Sequence, residues 1–170
     1  SGNREIELID LPGIYSVTPS RATGEDERIA RNYLVSGEAE AVVNIVDASN
    51  LERNLYLTTQ LTEMRIPMIV VLNMMDIARQ HKLSIDLEAL SVSLGCPVLS
   101  VVASRGTGVE ALKHSIDEML EKKTVPPLRL HYPTDIEGVI SLLGGRLERA
   151  GQKHGRWNAT QILEGAEPVE

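Results

Sequence analysis

Three short polar motifs in this chain have residue types and an order suited to holding a purine nucleotide. The first is D-L-P-G, Asp10 to Gly13, directly behind the apolar run EIELI at 5–9. A carboxylate at a strand end can hold Mg²⁺ through water, because Mg²⁺ keeps several waters and takes few protein ligands. A glycine three positions later lets a backbone N–H approach a terminal phosphate. The second is N-M-M-D, Asn73 to Asp76. An ionised aspartate only accepts hydrogen bonds, so Asp76 can pair with the N1–H and exocyclic amine of guanine. Adenine lacks both donors and would leave the buried acceptors unpaired. Asn73 would brace the loop and touch the purine's other edge. The third is V-A-S-R-G-T-G, Val102 to Gly108. A backbone N–H at Ala103 or Ser104 can meet the guanine carbonyl, while the glycines let the loop wrap the base. Taken singly, the three are also a turn, a capping aspartate and a strand-to-helix connection.

Such groups need rigid elements behind them. Four apolar runs recur: 5–9, AVVNIV at 41–46, PMIVVL at 67–72 and PVLSVV at 97–102. The last three are nearly continuous and rich in Val and Ile, as strands covered on both faces of a parallel sheet are. Helical patterns lie between them. Residues 25–36 place Ile29, Tyr33 and Leu34 on one face and stop at Gly37. Ser49 with Glu52, and Thr107 with Glu110, read as capping boxes. Asp86 caps a helix through Leu94 that Gly95 ends. Alternating strands and helices imply an α/β fold with a mostly parallel sheet and helices on both faces. Ligands in such sheets bind beyond the carboxyl ends of the strands. Asp10, Asp47, Asn73 and the Ala103–Ser104 pair fall there.

Past Lys123 the pattern changes. Pro126 and Pro127 break the preceding helix, and 135–150 and 156–164 read as two further helices, the first weakened by Gly144 and Gly145. The division expected is therefore 1–124 for the nucleotide-binding unit and 125–170 for a helical appendix. A net charge of −7 weighs against nucleic acid as a partner. No apolar run is long enough to span a bilayer. The lone Cys96 heads an apolar run and reads as a small buried thiol. His81, His114, His131 and His154 lack metal-ligand spacing and read as surface or loop positions.

In combination the three motifs match the order and placement of the third, fourth and fifth motifs of Ras-like GTPases. The stretches DLPGIYS, VDASNLERNLYLTTQL, VVLNMMDIA and LGCPVLSVVASRGTG resemble the bacterial ferrous iron transport protein B family more closely still. Like that family, the chain has Met74 where most GTPases place lysine, keeping apolar cover over the base without the charge. The resemblance implies a GTP/GDP- and Mg²⁺-binding regulatory domain that hydrolyses GTP slowly. The site residues it implies are Asp10 (Mg²⁺ through water), Gly13, Asn73, Met74, Asp76, Val102, Ala103 and Ser104. The partner implied is a transmembrane Fe²⁺ permease downstream in the same protein, on the cytoplasmic side of a bacterial inner membrane; a homo-oligomer is compatible with it. The appendix is similar to the start of that family's helical spacer.

Two departures shape the expectation. The G-x-x-x-x-G-K-[ST] phosphate loop and first switch that precede D-x-x-G in this fold are not among these residues. The strand before that loop would lie between 5–9 and 41–46, so open strand edges are expected. Ile14 stands where Ras-like enzymes place a water-orienting glutamine, and no catalytic residue is assigned. Residues 14–28 would form the second switch, a loop that orders with the γ-phosphate. Two rivals remain at this stage: a degenerate, nucleotide-free adaptor, and a GTPase of ribosome or tRNA maturation. A nicotinamide enzyme would need a G-x-G-x-x-G that the chain lacks.

Overall fold

The computed structural model describes residues 5–18 and 24–165. Three parallel strands form the sheet in the order β1 (Val42–Asp47), β2 (Met68–Asn73), β3 (Val98–Ser100). β2 is central and carries side chains to both faces. Met68, Val70 and Leu72 enter one buried cluster, and Ile69 and Val71 the other. This two-sided burial is why the run has no polar alternation. The helices α1 (Glu25–Ser36), α2 (Leu51–Glu63) and α4 (Leu87–Leu94) feed the first cluster through Leu34, Leu61 and Leu94. On the opposite face, α5 (Val109–Lys122) supplies Met119, with Leu112 and Ile116 beside it.

The run 5–9 is not a strand. It has no regular secondary structure and pairs with no strand among the described residues, with Ile6, Leu8 and Ile9 exposed, Leu8 at 80%. Period-2 patterning reports a side-chain rhythm, whereas a strand also needs a neighbour's backbone. Among the described residues nothing pairs with the outer edge of β1, where Ile45 is 64% exposed.

Gly37 and Gly95 close α1 and α4 in left-handed conformations, and Asp86 accepts from the Ala89 N–H at 2.9 Å. The two capping boxes do not form. Asp47 instead accepts from the Ser49 N–H and hydroxyl, winding a 3₁₀ turn at Ala48–Asn50 ahead of α2. Thr107 pairs with Val102 in an antiparallel bridge, so Gly108 precedes α5. On α1 the buried positions are Ala30 and Leu34, while Ile29 is exposed.

The appendix is the helix pair α6 (Thr134–Arg149) and α7 (Gly155–Leu163). Glycines set its crossing: a Cβ on Gly155 would lie 2.6 Å from the Gly144 carbonyl oxygen, so only glycine permits this approach. The pair shares a core with the sheet, because Trp157 belongs to the cluster containing Leu34, Leu61 and Met64. His154 is not a surface histidine. Its Nδ1 lies 2.7 Å from the Met64 carbonyl, and burial lowers its pKa.

Candidate functional site

The polar loops at the carboxyl ends of β2 and β3 meet. Asn73 ends β2, and its Oδ1 accepts the Ala103 N–H at 3.2 Å. That bond ties the end of β2 to the loop after β3. The next residue, Met74, adopts φ +59° and turns the chain abruptly into α3 (Met75–Gln80), leaving its own side chain about half exposed. A left-handed conformation at a non-glycine residue is uncommon and costs strain. Here it places Asp76 in the first turn of α3. Asp76 Oδ1 accepts the Ile77 N–H at 3.1 Å, and Oδ2 lies 3.6 Å from an Arg105 guanidinium nitrogen.

The facing loop is tightly wound. Val101 N–H donates to the Leu72 carbonyl at 2.8 Å, carrying the sheet one residue beyond β3. Val102 and Thr107 then exchange two backbone hydrogen bonds, which pin the neck of a loop containing the 3₁₀ turn Ala103–Arg105. Ala103 and Ser104 are exposed and Val102 is half-buried. Gly108 carries φ +84°, and a Cβ there would come within 2.4 Å of the Ser100 carbonyl oxygen. Glycine is therefore required where this loop turns into α5.

Asp10 and Gly13 are exposed, whereas Leu11 and Ile14 between and after them pack against the first core cluster. The chain that follows is docked on α2. Arg53 stacks over Tyr15 at 3.8 Å, and Gln60 accepts from the Val17 N–H (2.8 Å) and Ser16 hydroxyl (3.1 Å). Gln60 also donates to the Thr18 hydroxyl at 2.6 Å. Residues 19–23 of the second-switch segment lie outside the described residues. Among the described residues no three His, Cys, Asp or Glu side chains cluster to hold a metal ion. A lone carboxylate at Asp10 suits only a metal whose other ligands are waters and phosphates, which is the habit of Mg²⁺.

Sequence reading missed Gln60, which holds residues 43 and 44 positions away, and assigned nothing to Arg105. It also missed a charged junction under the appendix. There Glu63 accepts the Leu130 N–H at 2.5 Å and lies 3.6 Å from Arg156, which also pairs with Glu137. The buried side of α2 carries Thr58, Gln60, Thr62 and Glu63 beside Leu61, a polar inner face that hydrophobic periodicity does not reveal.

A parallel sheet between helices, with its polar loops at the strands' carboxyl ends, is the fold of a Ras-like G domain. The cytosolic domain of L. pneumophila FeoB has it, with a TM-score of 0.84 and 35% identity over 92% of this chain and 68% of that one. So does the T. maritima FeoB cytosolic domain in its GMPPNP form, with a TM-score of 0.82, 34% identity, and 94% and 62% of the two chains covered. The chain belongs to the ferrous iron transport protein B family, whose N-terminal model matches residues 1–116. The Fe(2+) transporter FeoB of Escherichia coli K12 is 46% identical over 164 residues, 96% of this chain and 21% of that protein. That of Salmonella typhimurium LT2 is 46% identical over 165 residues, with the same shares. The chain thus spans about a fifth of the length of these curated relatives. Among the described residues no helix is long and apolar enough to cross a membrane.

Proposed function

We propose that this chain is the guanine-reading part of a GTP-binding domain that regulates a ferrous iron transporter. The observation that carries the reading is the Asn73–Ala103 hydrogen bond, which locks the N-M-M-D and V-A-S-R-G-T-G loops together at the sheet's carboxyl edge. Asp76 accepts from guanine N1–H and the exocyclic amine, and Met74 covers a face of the base. Because the Ala103 N–H is already engaged by Asn73, Ser104 is the donor for the guanine carbonyl, with Val102 and Ala103 forming the wall. A neighbouring family structure contains GMPPNP, which supports a guanine nucleotide as the ligand.

On the phosphate side, Asp10 would hold Mg²⁺ through water and Gly13 would approach the γ-phosphate. Mg²⁺ when bound neutralises charge on the phosphate oxygens. Ile14 has no group that can orient water, so hydrolysis is slow. Residues 125–170 begin a helical spacer, and the whole protein places a permease for Fe²⁺ downstream in a bacterial inner membrane, with this domain on the cytoplasmic side.

Asp76→Asn tests the base assignment. An amide presents a donor where guanine also has donors, so guanine binding weakens. A base with a carbonyl at that position, xanthine, gains. An unchanged preference for guanine over adenine nucleotides in competition titrations refutes the assignment.

A further inference from the structure

The Arg105 guanidinium lies beside the carboxylate to which the guanine-reading role is assigned. Oδ1 of Asp76 accepts the Ile77 N–H at 3.1 Å and keeps a second lone pair, while Oδ2 forms an ion pair with the Arg105 guanidinium at 3.6 Å. Recognition of guanine through two donors needs both oxygens. The two partners differ in how easily they yield. The Asp76 side chain is 25% exposed and set in the first turn of α3, whereas that of Arg105 is 69% exposed on a long stem. The Arg105 backbone is fixed, with its N–H donating to the Val102 carbonyl at 2.9 Å inside the loop that the Val102–Thr107 bridge closes. Its guanidinium can therefore leave while the loop keeps its shape.

We propose that Arg105 is a displaceable guard on Asp76, pairing with the carboxylate until guanine replaces it, and so setting both affinity for guanine nucleotides and their rate of exchange. The inference rests on the reading of Asp76 given above. Arg105 is a positioning and competing group with no part in the chemistry. An exposed pair of this kind competes weakly for the carboxylate without sequestering it. Apparent affinity falls in proportion to the unguarded fraction, so the expected penalty is about two- to five-fold. The same contact favours product exit, because a departing base is replaced by a charge already tethered beside it.

The test is titration and dissociation of ribose-labelled fluorescent GDP on the chain, its Arg105→Ala and Arg105→Lys variants, and Asp76→Asn. Arg105→Ala should tighten GDP about two- to five-fold and slow its release, with Arg105→Lys between. ADP binding should not change. The advantage of Arg105→Ala over the parent should shrink near 1 M salt, where the Debye length is about 3 Å and the parent pair is already screened. In an Asp76→Asn background the gain should vanish, since the two residues act through one contact. Equal or weaker GDP binding by Arg105→Ala, with Asp76→Asn still abolishing guanine preference, overturns the guard and spares the base assignment. If Asp76→Asn leaves the preference intact, the base assignment falls and the guard with it; if neither the parent nor Arg105→Ala binds GDP, the guard is overturned for this chain while the base assignment stands.

Discussion

Replacing Gln60 with leucine should unlatch the segment that follows the D-L-P-G motif. Gln60 is about nine-tenths buried and spends its whole amide on residues 16–18, through the Val17 N–H at 2.8 Å, the Ser16 hydroxyl at 3.1 Å and the Thr18 hydroxyl at 2.6 Å. Val17 is fully buried, so its N–H cannot turn to water when the acceptor is lost. An orphaned buried donor costs about 1–3 kcal/mol, and each hydroxyl contact adds only about 0.5–1 because a hydroxyl can find water. The sum is about 2–5 kcal/mol, minus roughly 1 kcal/mol for the polar group no longer buried on the helix. A net loss of about 2 kcal/mol lowers Tm by about 4–8 °C in a domain of this size. Urea unfolding would read the stability, and amide exchange at Val17 would read the contact itself. Gln60→Glu keeps an acceptor for Val17 but loses the donor to Thr18, so its Val17 amide should stay protected. Leucine at 60 with undiminished Val17 protection and a midpoint within error of the parent would refute the reasoning.

Two further outcomes follow from the packing. Trp157→Ala removes a side chain that is 2% exposed in the main cluster and should cost about 3–5 kcal/mol, with the sheet and the appendix melting in one transition. Two separate transitions in the parent would show that the appendix folds on its own. His154 should make stability depend on pH. The carbonyl of Met64 can only accept, so Nδ1 carries the proton and the buried Nε2 has no partner to receive a second. Its pKa lies below the ordinary 6.5, chiefly through burial. The unfolded chain therefore takes up the proton first as pH falls, and stability declines from about pH 6.5 downward until the folded form also protonates. His154→Asn, which tolerates the left-handed φ of +55°, should flatten that part of the profile in urea titrations at stepped pH.

The elements with strong local signals were legible beforehand. The Val- and Ile-rich runs at β1 and β2, the terminating Gly37 and Gly95, and the Asp86 cap each depend on residues within one turn or one strand. The run 5–9 misled because its rhythm is right and its pairing partner is absent from the described residues. The Ser49 box misled because Asp47, two residues ahead, takes the Ser49 N–H that Glu52 would have accepted, together with the Ser49 hydroxyl, and the Thr107 box because Thr107 is held in the bridge with Val102. At the site, Asn73 could be expected to brace a loop, since one short side chain at a strand end reaches only its neighbour strand. Gln60 and Arg105 could not be foreseen, because their partners are chosen by packing across the sheet's loops.

The placement of Trp157 limits how the appendix can move. Swinging α7 away from the sheet like a door would return an indole of about 200 Å² to water, which at about 25 cal/mol per Å² is about 5 kcal/mol. Roughly one molecule in several thousand would be open at any instant by that measure. Sliding α7 along its own axis keeps the indole covered and carries no such penalty. The appendix is thus restricted to shear displacements of an ångström or two.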